Sequence, residues 1–210
     1  MKKILFFDLE TTGLDPKKNG IVHIAAIAII DGELHRFHCK CNILPDDEIE
    51  DDALEVTGLT RKDIAGFQSS HNAFQQFIIF MKQHIDPFDR DDKIYPAGYC
   101  VEFDMQFLRE WFFKHDDKYF GSYFYYRKID IRSLLHYLEY KGQIQCNDYK
   151  LTTVCKSLGV RLNDAHDAMA DIEATLEIFK IAEKSLVAMN YEETLEHELW
   201  HTEKAGKNEK

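Results

Sequence analysis

Asp8 and Glu10 follow a short apolar run, residues 4–7, near the beginning of the chain. Such a run is typical of a strand buried on both faces. Side chains two residues apart on a strand point to the same side, so the two carboxylates can converge on one point. Their hard oxygens suit Mg²⁺ or Mn²⁺, which would also relieve their mutual repulsion. The alternative is a strand that merely ends in solvent, and with 37 acidic residues among 210 the pair alone is a weak signal.

Asp104 is one candidate partner for this pair. It falls on the first turn of a helix expected over residues 101–114, next to apolar residues that pack inward. A partly buried carboxylate needs a reason to be charged, and a metal ion would supply one. An acid favoured by the helix dipole is the alternative, which suits the neighbouring Glu102 better.

His166 and Asp171 form the second candidate group, near the start of the last long helix. A lone His is more often a surface or core residue than a catalyst, but an Asp on the same helix start favours a catalytic role. Asp164 and Asp167 are interpreted as solvated acids, with Asn163 or Asp164 as the helix cap. Three histidines of the second and third strands are interpreted as structural or exposed: His23, His35 and His38.

The apolar pattern predicts the elements that must position these side chains. Strands are expected at residues 4–7, 21–30, 34–42, 93–97 and 127–129. Helices are expected at residues 70–84, 101–114, 150–158, 163–189 and from 131 onward. Asp31 and Gly32 predict a hairpin turn, Asp130 is interpreted as a helix cap, and residues 43–69 as an irregular acidic connection.

An early meander followed by strands alternating with helices predicts a mixed α/β sheet. Parallel strands place a site at their carboxyl ends, where Asp8 and Glu10 leave the first strand. The chain contains no internal repeat and no Pro/Gly-rich linker. We therefore expect one domain over residues 1–190 and a charged, partly frayed C-terminal tail over 191–210.

The composition limits the class of protein. The net charge of −11 disfavours broad duplex binding, though not an enzyme that holds a chain end through metal ions. Five cysteines without a CxxC pair predict free thiols in a reducing compartment. The apolar run after Met1 is too short for a signal peptide, and no segment is expected to span a membrane. The chain is thus expected to be soluble, cytoplasmic and without a membrane partner.

The three acidic stretches, taken in order, resemble the motifs of the DEDDh family of 3′–5′ exonucleases. That family includes the proofreading subunit of bacterial replicative DNA polymerase, RNase T and oligoribonuclease. The motifs are Phe-Asp-Leu-Glu-Thr-Thr-Gly-Leu at 7–14, Gly-x5-Asp-x2-Phe-Leu at 98–108 and His-Asp-Ala-x2-Asp at 166–171. Cys100 is a departure, because many members carry Asn there, and it bears on a supporting hydrogen bond.

The resemblance implies an RNase H-like fold, a mixed five-stranded sheet with helices on both faces. It implies release of nucleoside monophosphates from a 3′ end with two divalent ions, Mg²⁺ or Mn²⁺. The implied metal ligands are Asp8, Glu10, Asp104 and Asp171. His166 would be the general base, and the positions implied to contact the terminal nucleotide are Thr12, Leu14 and Val56.

The expected substrate is a DNA or RNA 3′ end, and DNA or single-stranded ends are favoured. The alternatives are an exoribonuclease of the same family and a non-catalytic module that binds nucleic acid or a polymerase. The family also allows a polymerase partner or a homodimer. Six cations are candidate phosphate contacts, although scattered surface charge explains any one of them: Lys17, Lys18, Arg61, Lys62, Lys114 and Lys118.

Overall fold

The computed structural model describes residues 2–163 and 167–207, with side chains described as far as Met189. Its strands are β1 (Lys3–Thr11), β2 (Ile21–Ile30), β3 (Glu33–Lys40), β4 (Ile94–Gly98) and β5 (Ile129–Asp130). Its helices are α1 (Asp51–Thr57), α2 (Arg61–Gly66), α3 (Ser70–Lys82), α4 (Val101–Lys114), α5 (Phe120–Tyr123), α6 (Ile131–Tyr140), α7 (Leu151–Leu158) and α8 (Ala168–Lys207).

The five strands form one mixed sheet in the order β3-β2-β1-β4-β5. Strands β1, β2 and β3 pair antiparallel, whereas β4 pairs parallel with both β1 and β5. The β2–β3 hairpin turns at Asp31 and Gly32, whose φ angles of 51° and 89° fit a tight primed turn. The predicted mixed five-stranded sheet and its hairpin are confirmed.

The two faces of β1 face different helices because side chains alternate along a strand. Phe7 and Leu9 pack into a core that includes residues of α3 and α4. Phe6 packs into a second core with residues of α6, α7 and α8. Helices therefore cover both faces, as predicted, and the alternation puts Asp8 and Glu10 on the same face as Phe6.

The first strand is longer than its apolar run. Pairing with β2 continues through Glu10, and a register shift separates Glu10 from Thr11. Asp8 and Glu10 thus lie within β1 instead of following it. Backbone pairing extends the strand past the point where the apolar side chains stop.

The acidic connection over residues 43–69 is not irregular as expected, because it contains α1 and α2. Helix α1 ends at Gly58, whose φ of 68° is the left-handed cap conformation. Helix α2 begins with a capping box between Thr60 and Asp63. Local capping and not an apolar face defines these helices, since α1 has no buried residue and α2 buries only Ile64.

Two further boundaries differ from expectation. Strand β5 covers two residues, Ile129 and Asp130, instead of 127–129. Helix α8 begins at Ala168, where the Asp167 carboxylate accepts from the backbone N–H groups of Met169 and Ala170, so Asn163 is not its cap. The alternative cap, Asp164, lies outside the described residues.

Asp130 caps α6 as predicted, since its carboxylate accepts from the Ser133 N–H at 2.7 Å.

Helix α8 includes residues of the segment assigned to a charged tail, and the domain division at residue 190 stays a prediction. All five cysteines are free thiols, as expected. Within the described ranges, every helix is too short or too polar to cross a bilayer.

Candidate active site

Strand β1 and the first turn of α8 bring three carboxylates together. Ligand oxygens of Asp8, Glu10 and Asp171 lie within 4.8 Å of one another. The first two share one side of β1, and Asp171 reaches them because α8 packs on that face of the sheet. The structure thus brings together residues that are more than 160 positions apart in sequence.

Asp104 joins this group from the start of α4. Its side chain is 5% exposed, and its Oδ1 accepts a hydrogen bond of 3.1 Å from the backbone N–H of Leu9. A cavity of about 250 Å³ is lined by all four acidic motif residues together with Leu9, Tyr99, Cys100, Phe103 and Leu151. We call this cavity the carboxylate cleft.

The carboxylate cleft raises the proton affinity of its acids. Burial, followed by the charges of Asp171 and Asp167, raises the pKa of Asp8 to about 7. Burial and the charge of Asp8 raise the pKa of Glu10 to about 8, and the same two causes raise the pKa of Asp104 well above its ordinary value. Buried oxygens that are difficult to ionise together are the ligand set that a divalent cation fits.

A second cavity, of about 340 Å³, adjoins the carboxylate cleft and shares Leu9, Glu10 and Phe103 with it. We call it the apolar pocket. Leu14 and Val56, two predicted substrate contacts, line it although they are 80% and 57% exposed. Large apolar side chains held in solvent beside a polar cleft indicate a surface that a ligand covers.

Thr12, the third predicted substrate contact, does not line this pocket. Its side chain is buried, and its hydroxyl donates to the Glu48 carbonyl at 2.6 Å and accepts from the Gly20 N–H at 2.9 Å. Thr12 therefore fastens the loop after β1, and its role toward substrate stays a prediction. The predicted general base, His166, lies outside the described residues.

His23, which the sequence analysis interprets as structural or exposed, is a buried neighbour of the site. It is 3% exposed and lies opposite Glu10 in the β1–β2 pairing. Burial, and then the charge of Lys40, lowers the pKa of His23 to about 4, so its imidazole is neutral at neutral pH. Only the strand register reveals this placement, and register cannot be read from an apolar run.

The mixed α/β sheet, with carboxylates gathered on and beside its central strand, has the RNase H-like fold that the motif resemblance implies. The profile of the RNase_T exonuclease family matches residues 5–179. The chain belongs to this exonuclease family, as the motif resemblance implies.

Two relatives illustrate the match. DNA polymerase III PolC-type of Thermotoga petrophila is 28% identical over 173 residues, which cover 82% of this chain and 11% of that protein. DNA polymerase III subunit epsilon of Aquifex aeolicus is 26% identical over 178 residues, which cover 84% of this chain and 79% of that subunit. The chain thus spans about a tenth of the PolC-type proteins but most of the epsilon subunit.

Among solved structures, Escherichia coli exonuclease I in complex with a dT13 oligonucleotide superposes with a TM-score of 0.74 at 20% sequence identity. The match covers 90% of this chain and 42% of that one. This likeness shows that the two proteins share a fold.

Proposed function

We propose that this chain is a 3′–5′ exonuclease that releases nucleoside monophosphates from DNA ends, with single-stranded ends preferred. The observation that carries the proposal is the junction of the carboxylate cleft with the apolar pocket. The cleft suits metal-assisted attack on a phosphodiester, and the pocket suits the base of a terminal nucleotide. Polymerase III relatives and an oligonucleotide-bound structural neighbour support DNA as the substrate.

The four carboxylates would hold two divalent ions, Mg²⁺ or Mn²⁺. Bound ions would activate the attacking water and stabilise charge on the attacking and leaving oxygens. By analogy with the family, Asp8, Glu10 and Asp171 would hold the first ion, and Asp8 and Asp104 would hold the second. The hydrogen bond from the Leu9 N–H fixes the Asp104 carboxylate beside the strand that carries Asp8 and Glu10, which supports this assignment.

His166 is assigned as the general base on its motif position. Its reference pKa of about 6.5 lies close to neutral pH, which suits a group that accepts the proton of the attacking water. Leu14 and Val56 would pack against the terminal base. Thr12 would act beside the 3′ end through the loop that its hydroxyl fastens.

A polymerase partner is part of the proposal because the two relatives described above are polymerase III chains. A second copy of the chain is the alternative partner. A cytoplasmic location agrees with the five free thiols.

A digestion panel tests the activity. End-labelled single-stranded DNA, duplex DNA with a mismatched 3′ end, RNA and dinucleotides are each incubated with Mg²⁺ or with EDTA. We expect stepwise loss of 3′ mononucleotides from single-stranded DNA with Mg²⁺ only, and none with the Asp8→Asn variant. Cleavage of RNA but not DNA would refute the proposed substrate, and no cleavage of any substrate would refute the activity.

A further inference from the structure

The carboxylate cleft has two ends, and the proposed function uses only one of them. The apolar pocket adjoins the cleft at Leu9, Glu10 and Phe103. The remaining wall is formed by Tyr99, Cys100 and Leu151. If the terminal nucleotide occupies the pocket and its phosphodiester lies at the carboxylates, the rest of the strand leaves past this wall. The inference rests on the proposed function to that extent.

Arg132 stands at this second end, on the first turn of α6. Its Nη1 lies 3.7 Å from the Cys100 Sγ, and its backbone N–H donates to the Tyr99 carbonyl at 3.2 Å. Asp130 fixes the turn, because its carboxylate accepts from the N–H groups of both Ser133 and Val101. The start of α6 is therefore attached to the cleft wall, and Arg132 is attached with it.

The guanidinium of Arg132 has unused hydrogen-bonding capacity. It carries five N–H donors, and a thiol is a weak acceptor for one of them. Arg132 is exposed, and among the described residues no carboxylate forms an ion pair with it. Asp130, the acid nearest in sequence, already accepts from two backbone N–H groups. A planar donor array left open at a cleft suits the oxygens of a phosphate.

Three other cations are already paired. Lys114 forms a salt bridge with Asp47, and Arg61 forms one with Asp51. Lys128, which precedes β5, pairs with Glu102. Because Lys114 and Arg61 are already paired with carboxylates, they are less suited than Arg132 to contact a phosphate.

We propose that Arg132 binds a backbone phosphate on the 5′ side of the scissile bond. The enzyme then holds an oligonucleotide at an internal linkage as well as at its terminal nucleotide. Cys100 supports this contact by lying against the guanidinium, which gives a role to the residue that departs from the family pattern. One such contact makes binding of the single strand more salt-dependent. It makes the slope of log affinity against log salt concentration steeper by about 0.7.

The test compares two substrates that differ in upstream phosphates. A single-stranded DNA decamer has them, and the nitrophenyl ester of thymidine 5′-monophosphate does not. In Arg132→Gln we expect the KM for the decamer to rise roughly tenfold, as for loss of a charged hydrogen bond, and to rise far more than the KM for the ester. The salt slope for the decamer should fall by about 0.7, and Arg132→Lys should restore most of it.

Arg90→Gln is the matched control. Arg90 is exposed and lies in the loop before β4, which is at the opposite end of the parallel strands β1 and β4 from Asp8 and Glu10. Its substitution makes the same change in charge. The proposal would be overturned if Arg132→Gln and Arg90→Gln had the same KM and the same salt slope for the decamer. It would also be overturned if Arg132→Gln raised the KM for the decamer and the KM for the ester equally.

Fluorescence anisotropy of the decamer in EDTA repeats the comparison without turnover. Weaker binding by Arg132→Gln than by Arg90→Gln supports the phosphate contact, and equal binding refutes it. If the wild-type protein binds the decamer but cleaves neither substrate, the exonuclease function fails, while this binding comparison still decides the role of Arg132.

Discussion

The backbone N–H of Leu9 donates a hydrogen bond of 3.1 Å to the Asp104 carboxylate, 95 positions along the chain. Leu9 lies between Asp8 and Glu10 on β1, so this bond fixes the start of α4 against the strand that carries both acids. A main-chain donor of β1 thus fixes the position of the Asp104 carboxylate relative to Asp8 and Glu10. Asp104 combines a structural contact with its proposed role as a metal ligand.

Two substitutions separate these roles. Asp104→Asn removes the charge but keeps an oxygen for the Leu9 N–H, so we expect activity to be lost while stability without metal is kept or raised. Asp104→Ala leaves the buried N–H without an acceptor, which should lower the free energy of unfolding by about 1–3 kcal/mol relative to Asn. Urea denaturation in EDTA measures the difference, and equal stability of the two variants would contradict the structural role.

Stability without metal should fall as pH rises. A carboxyl group whose pKa is higher in the folded than in the unfolded state favours folding at low pH, and this contribution is lost as pH rises through the folded-state pKa. The pKa values of about 7 for Asp8 and about 8 for Glu10 place the loss between roughly pH 4 and 8. In EDTA the melting temperature should drop across that range, by about 2–4 °C for each kcal/mol lost.

Added Mn²⁺ should reverse this loss. Because the ion binds ionised carboxylates, we expect it to raise the melting temperature more at pH 8 than at pH 6. The double variant Asp8→Asn, Glu10→Gln is the control, and it should lose most of both the pH dependence and the Mn²⁺ effect. An equal Mn²⁺ effect in the double variant would place the ion elsewhere.

His166→Ala should lower kcat by roughly 10²–10⁴, the usual contribution of a general base. The stabilisation by Mn²⁺ should persist, because the four carboxylates remain. Single-turnover cleavage of a labelled oligonucleotide measures the first effect and thermal unfolding the second. An unchanged rate would remove His166 from the mechanism.

Leu14→Ala and Val56→Ala should raise the KM for single-stranded DNA, since each removes apolar surface that would cover the terminal base. We expect an effect of roughly 1–2 kcal/mol for each variant, which is about 5–30-fold in KM. Ile79→Ala on α3 is the matched control, because Ile79 is 58% exposed and Val56 is 57% exposed. A similar KM in all three variants would mean that the apolar pocket does not bind the terminal nucleotide.

Elements with a buried apolar face were readable from the sequence. The predicted bounds of α3 and α4 are close to the observed ones, because buried apolar residues recur at helical spacing along each helix. Phe74 in α3 and Phe107 in α4 are examples. Helix α1 was missed because none of its residues is buried, so it has no apolar stripe. The apolar pattern predicts too short a β1, because the last part of this strand is defined by pairing with β2 and not by apolar side chains.

The residues of the site, too, could be predicted from the sequence only in part. Ordered motifs predicted Asp8, Glu10, Asp104 and Asp171 as a group, and the structure lines one cleft with all four. No sequence motif predicted the end of the cleft that is formed by Tyr99, Cys100 and Leu151. The contact between Cys100 and Arg132 joins residues 32 positions apart on different elements, and only the assembled fold brings them together.

Calorimetric titration with Mn²⁺ in the presence of thymidine 5′-monophosphate counts the ions that the carboxylate cleft holds. We expect two ions bound per wild-type chain and a loss of this binding in Asp8→Asn, whose carboxylate is assigned to both ions. Absence of binding in the wild type, or unchanged binding in Asp8→Asn, would refute the proposed metal site.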